Sequence, residues 1–306
     1  MVALNKFTPT THDGQGIPTN ISLEQKLPVD FIVLILGAGE GIGEHIAYAY
    51  ARAGARTIIL TARRLPNLEK VQQEIQRIIK DERLSPMNVE IASCDIASAS
   101  SMGELAKFVQ SKPGGNLDCV IPNAAYAPPV KLRMHLDEPE DVQRAFDVNA
   151  MGTFHAVHYF VPMLLSSKGG KGAKQFIAVG SMASAVRKGH IANMGYCVSK
   201  MAQTRMIEYV AEQYSSEGLW ACCVHPGAVN TEMARSNTPE SFLPYLIDDV
   251  GLCGAYCVWL SKMRIVNNSL GTLNGRFVSA TWDAKELVGQ MEQIEKGDSL
   301  KFAMAL

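Results

Sequence analysis

The run FIVLILG, residues 31–37, is apolar without a break until glycine stops it. A strand with one wet face would alternate, so an unbroken run of this length predicts a strand buried on both faces of a parallel sheet. Ile42, Ile46 and Tyr50 then fall on one stripe of a helix. RTIILTA (56–62) reads as a second strand, Leu68, Val71, Ile75 and Ile78 recur at helical spacing, and VEIASC (89–94) returns to strand. A helix carrying Met102, Leu105 and Phe108 leads to LDCVIP (117–122), strand four. A long helix over roughly 139–166 precedes KQFIAVG (174–180), and a helix over about 193–216 precedes LWACCV (219–224). Another helix around 249–261 precedes GRFVSA (275–280), a seventh strand. Strand and helix in regular alternation predict one α/β domain, a parallel sheet of about seven strands with helices on both faces.

Residues 1–28 are polar and rich in Thr, Pro and Gly. They read as an N-terminal arm, packed on the surface or partly mobile, before a folded domain over 29–306. SSKGGKGAK (166–174) lacks the spacing of a Walker loop and reads as a solvated connector.

Composition narrows the functional classes. Hydrophobic residues at 47% against 19% charged supply a sizeable core and argue against global disorder. A formal net charge of −1 gives no general attraction to nucleic acid or an anionic membrane. The seven cysteines are scattered without a CxxC pair, as buried thiols in a reducing compartment would be, and Cys222 and Cys223 should point to opposite faces of their strand. With no long apolar segment at the start and no run of 18 apolar residues, the expectation is a cytoplasmic protein. His155 and His158 lie three apart on one helix without a completing carboxylate, which reads as packing, and no metal is expected. No G-x-S-x-G motif appears, which disfavours a hydrolase.

GAGEGIG (37–43) stands where the first strand becomes the first helix. Glycines there allow a tight turn and close backbone approach to a pyrophosphate, and the helix N-terminus offers free N–H groups and its dipole. Gly37, Gly39, Gly41 and Gly43, with Glu40 and Ile42 between them, are therefore candidate dinucleotide contacts. Farther on, Tyr196 and Lys200 share a helix face at i and i+4. A phenol titrates near 10, and a neighbouring ammonium favours its phenolate. Taken alone, such a pair reads as a half-exposed surface contact rather than a catalytic one.

The motifs together resemble the short-chain dehydrogenase/reductase family over nearly the whole chain from residue 29. The likeness is carried by GAGEGIG, CDI (94–96), NAA (123–125), FDVNAMGTF (146–154), VGSMAS (179–184), YCVSK (196–200) and HPGAVNT (225–231). The segments FTPTTHD and LNGRFVSATWDAKEL (273–287) resemble a fungal branch of that family common in secondary metabolism. The resemblance implies a single Rossmann-type doubly wound domain and an NAD(P)(H)-dependent oxidoreductase. It implies Tyr196 as general acid and base, Lys200 as support for the phenol and the nicotinamide ribose, and Ser181 as the group polarising the substrate oxygen. Asn149 would position a water in a proton relay. Asp95 and Ile96 would contact adenine, although Asp95 serves equally as cap of the next helix. Asn123, Ala124, Ala125, Pro226, Gly227 and Val229 would line the dinucleotide. Thr231 would reach its amide, with N-cap of a following helix as the alternative.

The chain departs from the family pattern at Leu36, where a Thr usually ties to the neighbouring strand, at Pro122 and at Ala125. Strand two ends with Arg63 and Arg64 and no carboxylate, which favours NADP(H) over NAD(H). Glu40 opposes that reading unless it points into solvent. TEMARSNTPESFLPYLI (231–247) is a candidate mobile lid. Its apolar side chains, with Tyr126, Met182, Val186 and Met194, would wall a cleft for a bulky, largely apolar ketone or secondary alcohol. Apolar residues on more than one side of the two long helices predict a homodimer or homotetramer. A non-redox epimerase, dehydratase or cyclase on the same scaffold, and a cofactor-sensing binding protein, are the competing functions.

Overall fold

In β1 (Ile32–Leu36) every residue after the first is buried, and alternate side chains enter different cores. Val33 and Ile35 join one hydrophobic cluster, Leu34 and Leu36 the other. This is the consequence of an apolar run with a two-residue repeat. The computed structural model describes residues 7–14, 16–18, 21, 26–112, 116–131, 133–186, 191–267 and 270–304. The remaining strands are β2 (Thr57–Ala62), β3 (Asn88–Ser93), β4 (Cys119–Pro122), β5 (Gln175–Val179), β6 (Trp220–His225) and β7 (Arg276–Ser279). They form one sheet in the order β3-β2-β1-β4-β5-β6-β7, with every pairing parallel. Cys222 faces one cluster and Cys223 the other.

Three helices cover one face: α1 (Ile42–Arg52), α2 (Leu65–Asp81) and, from the later chain, the helix over Leu252–Asn267. The other face packs α3 (Ala99–Gln110) and two long helices. The expected continuous helix over 139–166 is interrupted. It consists of α4 (Pro139–Ala145), a π-helical turn at Phe146–Met151, and α5 (Gly152–Gly170), whose backbone leaves helical geometry at Ser167–Gly169. A π turn inserts an extra residue and rotates the next helical turns, a device common at functional sites. Asn149 lies inside it. The next helix, α6 (Met194–Tyr214), starts at Asn193, whose Oδ1 accepts from the Gly195 N–H at 2.7 Å. α7 (Glu232–Asn237) precedes the helix over Leu252–Asn267, now α8, and α9 (Ala284–Gly289) and α10 (Met291–Lys296) complete the order.

The described part of the N-terminal arm packs on the domain. Phe7 stacks on Trp282 with ring centroids 4.9 Å apart, and Thr11 pairs with Trp282 in an antiparallel bridge. His12 Nε2 lies 3.0 Å from Asp283, and Thr10 donates its N–H and hydroxyl to Glu286. The two segments that carry the likeness to the fungal branch thus touch each other.

Candidate active site

A cavity of about 380 Å³ opens at the carboxyl ends of β1, β2, β4 and β5. The sheet order turns at this point: the chain leaves β1 toward β2 and β3, then returns to place β4 on the other side. Such a switch point leaves a crevice because the flanking connections diverge. At the crevice floor, Gly37 has φ +94°, and a Cβ there would lie 2.6 Å from the Ala124 nitrogen. A Cβ on Gly43 would lie 1.9 Å from the Gly37 carbonyl oxygen. A side chain at Gly37 would collide with the segment after β4, and one at Gly43 would push α1 off the turn, so glycine is required at both. Asn123 closes the turn, its Nδ2 donating to the Gly37 carbonyl at 2.7 Å and its N–H to Leu36 at 2.9 Å. The hydroxyl tie that Leu36 lacks comes from the partner strand, where Thr61 Oγ1 donates to the Ile35 carbonyl at 3.2 Å.

Asp95, Ile96, Ala124, Ala125, Arg63 and Arg64 line the cavity beyond the turn. Asp95 Oδ1 accepts from the Ala97 N–H at 3.0 Å, and the cap of α3 is Ser98, so the capping alternative for Asp95 falls away. Glu40 does not simply extend into water. Its Oε2 accepts from Arg64 Nη2 at 2.7 Å and from Asn67 Nδ2 at 3.3 Å. Both members of the ion pair are largely exposed, which keeps the pair weak, while Arg63 lies beside it at the cavity wall.

Tyr196 and Lys200 line the opposite end, one turn apart on α6. Burial pushes the Tyr196 phenol up to about 12, opposed by its hydrogen bond to the Ser181 side chain. Burial thus favours the neutral phenol, and the lysine charge is not among the causes that oppose it. The reason lies in where the ammonium points. Lys200 Nζ donates to the Val179 carbonyl at 2.8 Å and to Gln203 Oε1 at 2.7 Å, and burial brings its pKa down to about 8. Gln203 in turn donates to Thr153 Oγ1 at 2.8 Å, which donates to the Asn149 carbonyl at 2.9 Å.

Asn149 and Ser181 are not among the residues that line the cavity. Asn149 is fully buried; its Oδ1 accepts from the Tyr126 N–H at 2.9 Å and its Nδ2 donates to the Tyr126 carbonyl at 2.8 Å and Ser199 Oγ at 2.9 Å. Pro226 and Thr231 reach the cavity, whereas Gly227 and Val229 support the turn from behind. Thr231 both lines the cavity and caps α7, accepting from the Ala234 N–H at 3.2 Å. His225 Nδ1 accepts the Met182 N–H at 3.1 Å, and burial pulls the imidazole down to about 4.

Of segment 231–247, its first residues reach the cavity. Glu232, Met233 and Tyr126 line the cavity; Phe242 and Tyr245 pack on each other with centroids 5.5 Å apart, and Tyr245 is exposed. Met182 is buried beneath the wall. Sequence reasoning missed Gln203, although its i+3 spacing from Lys200 was visible, and Arg144 and Val148, for which no local signal existed. His155 hydrogen-bonds the Ile96 carbonyl, and among the described residues no cluster of three His, Cys, Asp or Glu could hold a metal. No helix among them is long and apolar enough to cross a membrane.

A doubly wound parallel sheet with a glycine turn at its switch point, and a Tyr–Lys pair lining the same cavity, is the arrangement of a dinucleotide-dependent oxidoreductase. Residues 31–241 match the family model for short chain dehydrogenases, and the chain belongs to that family. Similar proteins include the short chain dehydrogenase pgmD of Aspergillus terreus, 32% identical over 98% of this chain and 94% of that one. The short chain dehydrogenase andI of Emericella variicolor is 33% identical over 89% of each. Among solved structures, a short chain dehydrogenase from Shigella flexneri complexed with NADP is 25% identical with a TM-score of 0.68, covering 84% of this chain and 99% of its own.

Proposed function

We propose that the protein is an NADP(H)-dependent oxidoreductase interconverting a ketone and a secondary alcohol on a bulky, largely apolar substrate of secondary metabolism. The observation that carries this reading is the pair Tyr196 and buried Lys200, one turn apart on α6 and lining the same cavity as the glycine turn. The residues present fit a dinucleotide. Gly37 and Gly43 leave the backbone bare, and the first-turn N–H groups of α1 have no helical carbonyl to accept them, which suits a pyrophosphate. Asp95, Ile96, Asn123, Ala124 and Ala125 serve the adenosine side, Pro226 and Thr231 the nicotinamide side. Bound there, the dinucleotide supplies or accepts the hydride.

Tyr196 donates its proton to the carbonyl oxygen in reduction and recovers it in oxidation. The neutral phenol that burial maintains is the form a donor needs. Ser181 hydrogen-bonds the same oxygen. Two of the three Lys200 donors are fixed on Val179 and Gln203, leaving one for a ribose hydroxyl. A relay water at Asn149 has one acceptor position open on the carboxamide, the second lone pair of Oδ1.

NADP(H) is favoured because Arg63 stands at the end of β2 without a carboxylate, and Arg64 offsets the charge of Glu40. The protein works in the cytoplasm as a closed homo-oligomer. Met151 at the end of the π turn, Phe154 on α5, and Met201 and Tyr209 on α6, all more than 40% exposed, support pairing of those helices. The test is loss of reduced-nicotinamide absorbance across a panel of ketones with both dinucleotides, in wild type and Arg63→Ala. A preference for NADPH that shrinks in Arg63→Ala is expected. A wild type preferring NADH, or turning over only small polar ketones, overturns the reading.

A further inference from the structure

Asp248 is 8% exposed, stands just past the lid segment, and holds two other parts of the chain by its two carboxylate oxygens. Oδ1 accepts from the Gly14 N–H of the N-terminal arm at 2.8 Å, and Oδ2 from the Ala228 N–H at 2.6 Å. The grip on the Pro226–Thr231 turn is doubled by backbone contacts. Asp248 N–H donates to the Ala228 carbonyl at 3.1 Å, and Val229 and Asp248 form a parallel bridge. Gly227, at φ +98°, is pressed against the carboxylate so closely that a Cβ would lie 2.8 Å from Oδ2. Among the described residues no cation pairs with Asp248, and burial raises its pKa. A buried carboxylate without a cation is costly, so its retention here calls for donors only an acceptor can satisfy. Two converging N–H groups are such donors. A carboxamide would accept one and turn its own N–H toward the other.

We propose that Asp248 is a positioning residue that ties the N-terminal arm to the Gly227–Val229 turn and so fixes the root of segment 231–247 beside the substrate end of the cavity. The arm transmits this restraint from α9, where Thr10 is held by Glu286. The effect on turnover rests on the oxidoreductase reading above; the effect on the lid does not.

The experiment is hydrogen exchange by mass spectrometry on the full chain, as wild type, Asp248→Asn and Glu286→Ala. Asp248→Asn should speed exchange in 231–247 and in 8–14 roughly tenfold, the scale of one lost hydrogen bond to a charged group, with strands β1 to β6 unchanged. Glu286→Ala, which touches neither lid nor cavity, should speed exchange in 8–14 and in the lid together. With the ketone reduced fastest in the panel, Asp248→Asn should raise KM roughly tenfold, leave kcat within about threefold, and leave NADPH affinity unchanged. Lid exchange unchanged in Asp248→Asn, or raised equally in every strand, overturns the proposal. So does an arm freed by Glu286→Ala over an unaffected lid. Failure of wild type to bind either NADPH or NADH would instead sink the oxidoreductase reading while the exchange result stood.

Discussion

Replacing Asn149 by alanine separates two roles for this side chain. If its task were only to place a water, the substitution would leave the fold nearly untouched. The structure instead gives the carboxamide three hydrogen bonds, two to the Tyr126 backbone and one to Ser199 Oγ, and buries it completely. At about 1 kcal/mol for each bond, the loss comes to about 3 kcal/mol. No larger figure is warranted, since Tyr126 is half-buried and water can reach its freed backbone groups. For a chain of this length, about 2 °C of melting temperature goes with each kcal/mol, so Tm should fall by about 6 °C. Asn149→Asp should do worse, because it sets a buried carboxylate oxygen against the Tyr126 carbonyl. Differential scanning calorimetry on the three proteins makes the measurement. A shift under about 2 °C for Asn149→Ala would refute the clamp and return the residue to a purely catalytic role.

Three further outcomes are expected. Tyr196→Phe should keep NADPH affinity while turnover drops by roughly 10²-fold or more, read from steady-state kinetics beside a binding titration; near-normal turnover would remove Tyr196 as proton donor. His225 titrates at about 4 in the fold against 6.5 in a free chain, so between those values the unfolded state binds more protons. The His225 contribution to stability should therefore be constant above about 6.5 and fall as pH drops from there to about 4, and His225→Asn, which keeps an acceptor for the Met182 N–H, should flatten that slope in urea titrations at several pH values. Light scattering at micromolar concentration should give a multiple of the 33.3 kDa chain mass, and a monomer would rule out pairing through α5 and α6.

The apolar run at 31–37 and the helical stripes after it determined a buried parallel sheet covered on both faces, because two-residue and 3.6-residue periodicities can be counted along a chain. The glycine turn and the order of GAGEGIG, FDVNAMGTF, VGSMAS and YCVSK determined the family in the same way, by type and spacing. What the tertiary structure decided are contacts between segments far apart. Glu40 meets Arg64 because β1 and β2 end side by side, and Tyr196 meets the glycine turn across one cavity because α6 packs beside the carboxyl ends of the strands. The break at Phe146–Met151 left no signal in the chain, since one residue inserted in a helix needs no special residue type and reveals itself only through what Asn149 then reaches. Asp248 reads in the chain as one more polar residue after a loop. Only folding brings Gly14 and Ala228 to its two oxygens, and a hydrogen bond that spans 234 positions, as the one from Gly14 does, leaves no local trace in sequence.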